Sequence, residues 1–223
     1  MTIKLFLGAI TKFLLGVILV GALIFLPAGT ALYFNGWVLV GILFIPMFFA
    51  GIVMMFKNPN LLKSRLDAKE NQKEQNLVVK LSGLMFIAGF IVAGLGVRFG
   101  WYILPNSVAI VGAILFLIAY VLYAEVLREN TYLSRTIKVQ ENQKVIDTGL
   151  YSVVRHPMYS VTLLLFLSMP VVLGSVYSFL IFLVYPFIIA KRIKHEEEFL
   201  EKELDGYREY KQKVKYRLIP YIW

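Results

Sequence analysis

The chain has no cysteine, only two histidines and few charges. Of its 223 residues, 17% are charged and 59% are apolar, whereas a soluble domain is about one quarter charged. The missing cysteine excludes disulfides, thiolate metal ligands and a cysteine nucleophile, and no metal site is expected. The scarce charges leave apolar runs of about 20 residues, the length that crosses a bilayer. The composition predicts an all-α, polytopic membrane protein. A net charge of +9 would suit nucleic acid in a soluble protein, but here basic cytoplasmic loops explain it and no nucleic-acid partner is expected. The first apolar run lacks a small-residue cleavage site behind it and reads as a retained helix.

Residues 5–27 predict the first span, with Lys4 and Lys12 able to snorkel toward headgroups. Pro27, Gly29, Asn35 and Gly36 mark a turn, and residues 34–56 predict the second span, with Pro46 a kink. Residues 57–80 are a polar connector broken at Asn58–Asn60. After the break, Leu61, Leu62, Leu66 and Leu77 suggest an interfacial helix joined to the third span. That span, 81–99, is rich in glycine (Gly83, Gly89, Gly94, Gly96), which lets membrane helices approach closely. Residues 100–105 form a turn, and 106–127 the fourth span. Residues 130–155 form a polar loop with a short extended segment within Thr131–Val139. Two parts follow from this order: an N-terminal transmembrane pair with its connector (1–80), and a core (81–223).

Residues 157–190 are 34 residues without a charge. At 1.5 Å per residue one helix of that length overshoots a hydrocarbon core of about 30 Å. Gly174-Ser175 sits mid-run and predicts a hairpin, 157–173 and 176–192, with the last helix continuing to Glu203. Charge supports the split. With six spans and both termini on one side, that side holds 22 of the 23 Lys and Arg residues and all 14 acids, and only Arg98 lies opposite. The positive-inside rule makes the charged side cytoplasmic.

The hairpin brings Tyr151–Tyr159 and Arg192–Tyr210 together at its open end, near Arg128 and its loop. Polar groups at a membrane edge are costly unless they act. Each piece also has a plainer reading. Arg155-His156-Pro157 suits a helix start. Arg192 and Glu196 are spaced as a surface ion pair. Glu196–Glu198 and Glu201 suit a solvated face, His195 an exposed position, and Tyr207 and Tyr210 an interfacial belt. Lys and Arg within 211–217 suit anionic lipid headgroups. Their occurrence together, in order, on one side favours a pocket for a charged cofactor acting on a membrane-embedded substrate.

These residues carry a resemblance. Gly149, Tyr151, Arg155, His156, Pro157 and Tyr159, then Arg192, Ile193, Glu196, Glu197 and Leu200, then Gly206, Tyr210 and Arg217–Pro220 together resemble the isoprenylcysteine carboxyl methyltransferases and their phospholipid methyltransferase relatives. The resemblance covers roughly 125–223. It implies S-adenosyl-L-methionine as cofactor, bound by Tyr151, Arg155, His156, Tyr159, Glu196 and Glu197, and a lipophilic methyl acceptor, carboxylate or amine, drawn from the membrane. Arg128 and Arg192 are the expected catalytic residues, holding an anionic group of cofactor or acceptor. Ser160 follows Tyr159 in a region where the family often has glycine.

Two other classes compete. The tail from Tyr207 to Trp223 also resembles the NADPH-dependent sterol-type reductases, and a non-catalytic lipid-binding protein could share the fold. Spans three to six lack an ionisable residue near mid-membrane, which argues against a transporter. The compact plan without a sorting signal suits a prokaryotic plasma membrane.

Overall fold

The computed structural model describes residues 3–66, 73–101, 103–134, 137 and 139–223. Nine α-helices occur among them: α1 (Ile3–Ala28), α2 (Phe34–Lys57), α3 (Pro59–Leu66), α4 (Lys73–Arg98), α5 (Asn106–Glu129), α6 (Pro157–Val172), α7 (Val176–Phe182), α8 (Tyr185–Glu203) and α9 (Tyr207–Lys213). Five segments are long and apolar enough to span a membrane, the last of them Val176–Glu203, and α6 is a shorter apolar helix. The protein is thus an all-helical integral membrane protein of the expected plan.

Helix α4 lies at the centre, packed on α1, α6, α7 and α8, while α5 packs along α6. Two glycines set these distances. A Cβ at Gly94 would collide with the backbone carbonyl of Ile24 in α1, and one at Gly112 of α5 would come within 2.9 Å of the Val172 amide. Phe116, Phe182, Leu39 and Ile24 are fully buried between the helices. Phe86 meets Phe166 edge-on at 4.7 Å and Phe182 at 5.4 Å, a favoured geometry for aromatic pairs.

The hairpin turns where Gly174-Ser175 predicts it. The Ser175 hydroxyl caps α7 by accepting from the Ser178 amide at 3.2 Å, and the Leu104 amide donates to the Gly174 carbonyl at 2.8 Å. The outer ends of α5 and α6 are therefore tied at one level. One expectation needs correction: the helix predicted over 176–192 is interrupted at Leu183-Val184, between α7 and α8. Pro186, in the first turn of α8, has no amide hydrogen to donate to the Phe182 carbonyl one turn back, so the ladder restarts there.

The expected break at Asn58–Asn60 is also narrower than its residues suggest. Only Asn58 interrupts the chain, its side chain accepting from the Leu61 amide at 3.1 Å, and Pro59 starts α3 as a first-turn proline can. Leu61 and Leu62 are buried, and Lys12 reaches out of α1 to the Leu66 carbonyl at 2.7 Å. Its ammonium thus faces the charged side, as snorkelling predicts. The junction of this helix with α4 lies outside the described residues, as does part of the extended segment expected within Thr131–Val139.

Candidate functional site

The site begins with how the chain enters α6. A single 3-10 turn, Gly149–Ser152, leads to His156 at the helix N-cap and Pro157 in its first turn. The N-cap position leaves the Arg155 and His156 amides outside the helix, and the C-terminal tail takes both. Arg155 donates to the Tyr216 carbonyl at 2.9 Å and His156 to the Arg217 carbonyl at 3.0 Å. Tyr210 of α9 donates its hydroxyl to the Tyr151 carbonyl at 2.7 Å, and Ser160 donates to the Leu218 carbonyl at 2.6 Å. A glycine at 160 would lack this last tether.

Glu197 is the electrostatic centre of this junction. Its residue is 2% exposed. One carboxylate oxygen accepts from Arg155 Nε at 2.7 Å and lies 3.2 Å from His156 Nε2, and the other accepts from Arg217 Nε at 3.0 Å. Arg155 also donates through Nη1 to the carbonyls of Val214 and Lys215 at 2.7 and 2.8 Å. A buried carboxylate is tolerated when cations and donors surround it like this. The cluster pins α8, the start of α6 and the tail to one another.

In front of this cluster lies a cavity. It has about 110 Å³ open to the centre of a water molecule, in a recess of about 810 Å³ including its mouth. Small-molecule sites span roughly 300–1,000 Å³. One wall is polar: the Tyr159 hydroxyl donates to Glu196 Oε2 at 2.5 Å and accepts from Arg192 Nε at 2.7 Å. The roof is the loop after α5, where Asn130 donates to the Tyr151 hydroxyl at 3.0 Å. Tyr207 closes another side. It is 4% exposed, and its hydroxyl has no hydrogen-bond partner among the described residues. Burial pushes the Tyr207 and Tyr210 hydroxyls up in pKa, so both stay protonated.

Helix lengths place this cavity at depth. From the tied outer turn, the 24 residues of α5 rise about 36 Å, while the 16 residues of α6 rise about 24 Å. The entry to α6 is therefore sunk about 12 Å below the end of α5. The head of α6 thus lies within the length of its neighbour α5 rather than beyond its end.

The predicted residues separate into three groups. Tyr151, Arg155, His156, Tyr159, Arg192 and Glu196 line the one cavity. Glu197 stands behind it, both oxygens taken by cations. Arg128 is elsewhere: its side chain is 75% exposed and bonds Glu125 within its own helix, at 3.0 Å through Nε and 2.6 Å through Nη2. The i,i+3 spacing on α5 satisfies it locally, and it does not line the cavity. By sequence Tyr207 suits an interfacial aromatic; only its burial with an unmet hydroxyl sets it apart. Asn130 is a further lining residue, for which the loop sequence carries no signal. Among the described residues no group of His, Asp and Glu could hold a metal.

Residues 107–205 match the phospholipid methyltransferase family model. The matched stretch runs from the first turn of α5 to the end of α8 and holds the six cavity-lining residues named above. The resemblance read from the motifs is borne out, and the family implies methyl transfer by a membrane protein. No curated protein matches the chain.

Proposed function

We propose that the protein transfers a methyl group from S-adenosyl-L-methionine to a lipophilic acceptor at the cytoplasmic level of the membrane. The observation that carries this reading is the convergence of two motif halves, Arg155–Tyr159 and Arg192–Glu196, on one cavity at the head of α6. The donor set suits that cofactor. A partly buried carboxylate, Glu196, can accept from an ammonium or ribose hydroxyls. Arg192 can hold a carboxylate. The unmet Tyr207 hydroxyl offers a buried donor, which a ligand oxygen would satisfy. The aromatic faces of Tyr151 and Tyr159 offer stacking surface for a purine.

When bound, the cofactor supplies an already activated methyl group on a sulfonium, so the protein's contribution is alignment and exclusion of water. The Glu197 cluster holds Arg155 and His156 in place. Tyr159, fixed between Glu196 and Arg192, keeps both charged groups facing the cavity. A carboxylate acceptor needs no base. An amine acceptor must lose a proton; with the His156 Nε2 proton donated to Glu197, Nδ1 keeps the lone pair that could take it.

Calorimetric titration of the detergent-purified chain tests the reading. S-adenosyl-L-methionine and its demethylated product should both bind, and Glu196→Ala should abolish this. Binding of NADPH alone would move the protein to the sterol-type reductases. Binding of none of the three by folded protein would favour a non-catalytic lipid-binding role.

A further inference from the structure

The tail beyond α9 lies outside the matched family stretch and does not line the cavity, yet it holds the cavity wall from behind. Five successive residues give their carbonyls to the entry of α6. Val214 and Lys215 accept from Arg155 Nη1, Tyr216 from the Arg155 amide, Arg217 from the His156 amide and Leu218 from the Ser160 hydroxyl. Arg155 and His156 line the cavity. Both precede the first turn of α6, so no helical hydrogen bond places their amides, and the tail does so instead.

The tail is itself closed into a turn over residues 217–223. The main-chain oxygen of Trp223 accepts from the amides of Arg217 and Leu218, each at 2.9 Å, and of Ile219 at 3.2 Å. The Ile222 and Trp223 amides return to the Ile219 carbonyl, both at 3.1 Å. Tyr221 takes a φ of 65°, a left-handed conformation that is costly for a residue with a side chain and persists where its surroundings impose it. The turn brings the Trp223 ring to Arg217, with its centre 5.2 Å from Cζ, a cation–π distance. The same guanidinium donates to Glu197 through Nε at 3.0 Å. A long, partly exposed side chain gives up rotamer freedom to make an ion pair, and the indole contact offsets part of that cost.

We propose that Trp223 is a positioning residue: by closing the 217–223 turn and stacking on Arg217 it keeps the tail docked, and so holds Arg155 and His156 in the cavity wall. Its effect on cofactor affinity rests on the methyl-transfer reading, whereas the restraint on the wall does not.

Amide hydrogen exchange of the full chain in detergent, read by mass spectrometry with residue resolution, tests the restraint without any ligand. Trp223→Ala should speed exchange at Arg155 and His156 about fivefold, the worth of one exposed cation–π contact. The amides of α4 from Met85 to Phe90 should not change, because a local release leaves the global opening untouched. Trp223→Phe, which keeps a ring, should retain most of the protection, and Ile222→Ala, exposed in the same turn, all of it. Unchanged exchange at Arg155 and His156 in Trp223→Ala, or an increase shared by α4, would overturn the proposal. Should Trp223→Ala fail to fold, Trp223→Leu, apolar but without a π face, decides by the same readout. The same proteins are titrated with S-adenosyl-L-methionine by calorimetry, and affinity should fall by a similar factor in Trp223→Ala. Affinity unchanged where exchange has risen would also sink the positioning role. No binding to the wild type would instead remove the methyl-transfer reading, and the exchange rates then decide the role of Trp223 alone.

Discussion

Adjacent residues Glu196 and Glu197 have opposite placements, and their chemistry follows from that. Glu197 faces inward, and three basic side chains surround it within hydrogen-bond range; Glu196 faces the cavity and bonds one tyrosine. Removing one partner of a buried charge cluster costs about 3–5 kcal/mol. Glu197→Gln should therefore lower the unfolding midpoint sharply in detergent, whereas Glu196→Gln should barely move it yet lose cofactor affinity in calorimetry. Equal stability of the two variants would contradict the assignment. Tyr207 gives a second contrast. Its hydroxyl has no partner to lose, so Tyr207→Phe should leave stability unchanged or slightly raised. A lost hydrogen bond to ligand is worth about 0.5–1.5 kcal/mol, so cofactor should bind roughly two- to twelve-fold more weakly. Tyr210→Phe should do the reverse, losing stability through the broken bond to Tyr151. A stability loss in Tyr207→Phe would show that its hydroxyl is already bonded.

Between elements, two glycine contacts separate the structural part of the chain from the functional part. Gly94 lets α4 meet α1, and Gly112 lets α5 meet α6. Overpacking such contacts typically costs about 1–3 kcal/mol. Gly94→Ala and Gly112→Ala should both lower the unfolding midpoint. Only Gly112→Ala should also weaken cofactor binding, because α6 carries His156 and Tyr159. Comparable loss of affinity in Gly94→Ala would mean that α1 also shapes the pocket. The same elements mark what the sequence discloses. Spans and the hairpin turn were legible because uninterrupted apolar length and a Gly-Ser pair are local signals. The interruption before Tyr185 was less so: Pro186 is plain in the sequence, but one proline in an apolar run reads equally as a tolerated kink. Glu197's inward orientation is not legible, since its three basic partners come from residues 155, 156 and 217, and only the folded tail brings the last of them to α8. Arg128 misled for the opposite reason. Its partner Glu125 was close in sequence, and a local pair competes successfully against a distant pocket.

At the scale of the molecule, the arrangement works only if the C-terminal part and the 130–155 loop share one side of the membrane, since the cavity is built from the loop, the start of α6, the end of α8 and α9. The distribution of charge argues that this side is cytoplasmic: Arg98 is the one basic residue assigned to the other side. The absence of cysteine makes the point directly measurable, because a single introduced cysteine is the chain's sole thiol. Ala31→Cys and Asn106→Cys lie in exposed positions at the turns opposite the cavity, and Glu141→Cys and Lys215→Cys are exposed on the cavity side. A membrane-impermeant maleimide added to intact cells expressing each variant should label the first two and not the second two. Permeabilisation should then release labelling of the latter. Labelling of Lys215→Cys from outside, with Glu141→Cys still protected, would mean that the chain crosses the membrane once between 157 and 203 instead of turning back at Gly174. The site could then not form in the membrane, because α8 would deliver Arg192 and Glu196 to the face opposite His156. Labelling of both from outside would keep the site intact but invert the protein. A cofactor made in the cytosol would then be out of reach, and methyl transfer would fail as a function even with the pocket fully formed.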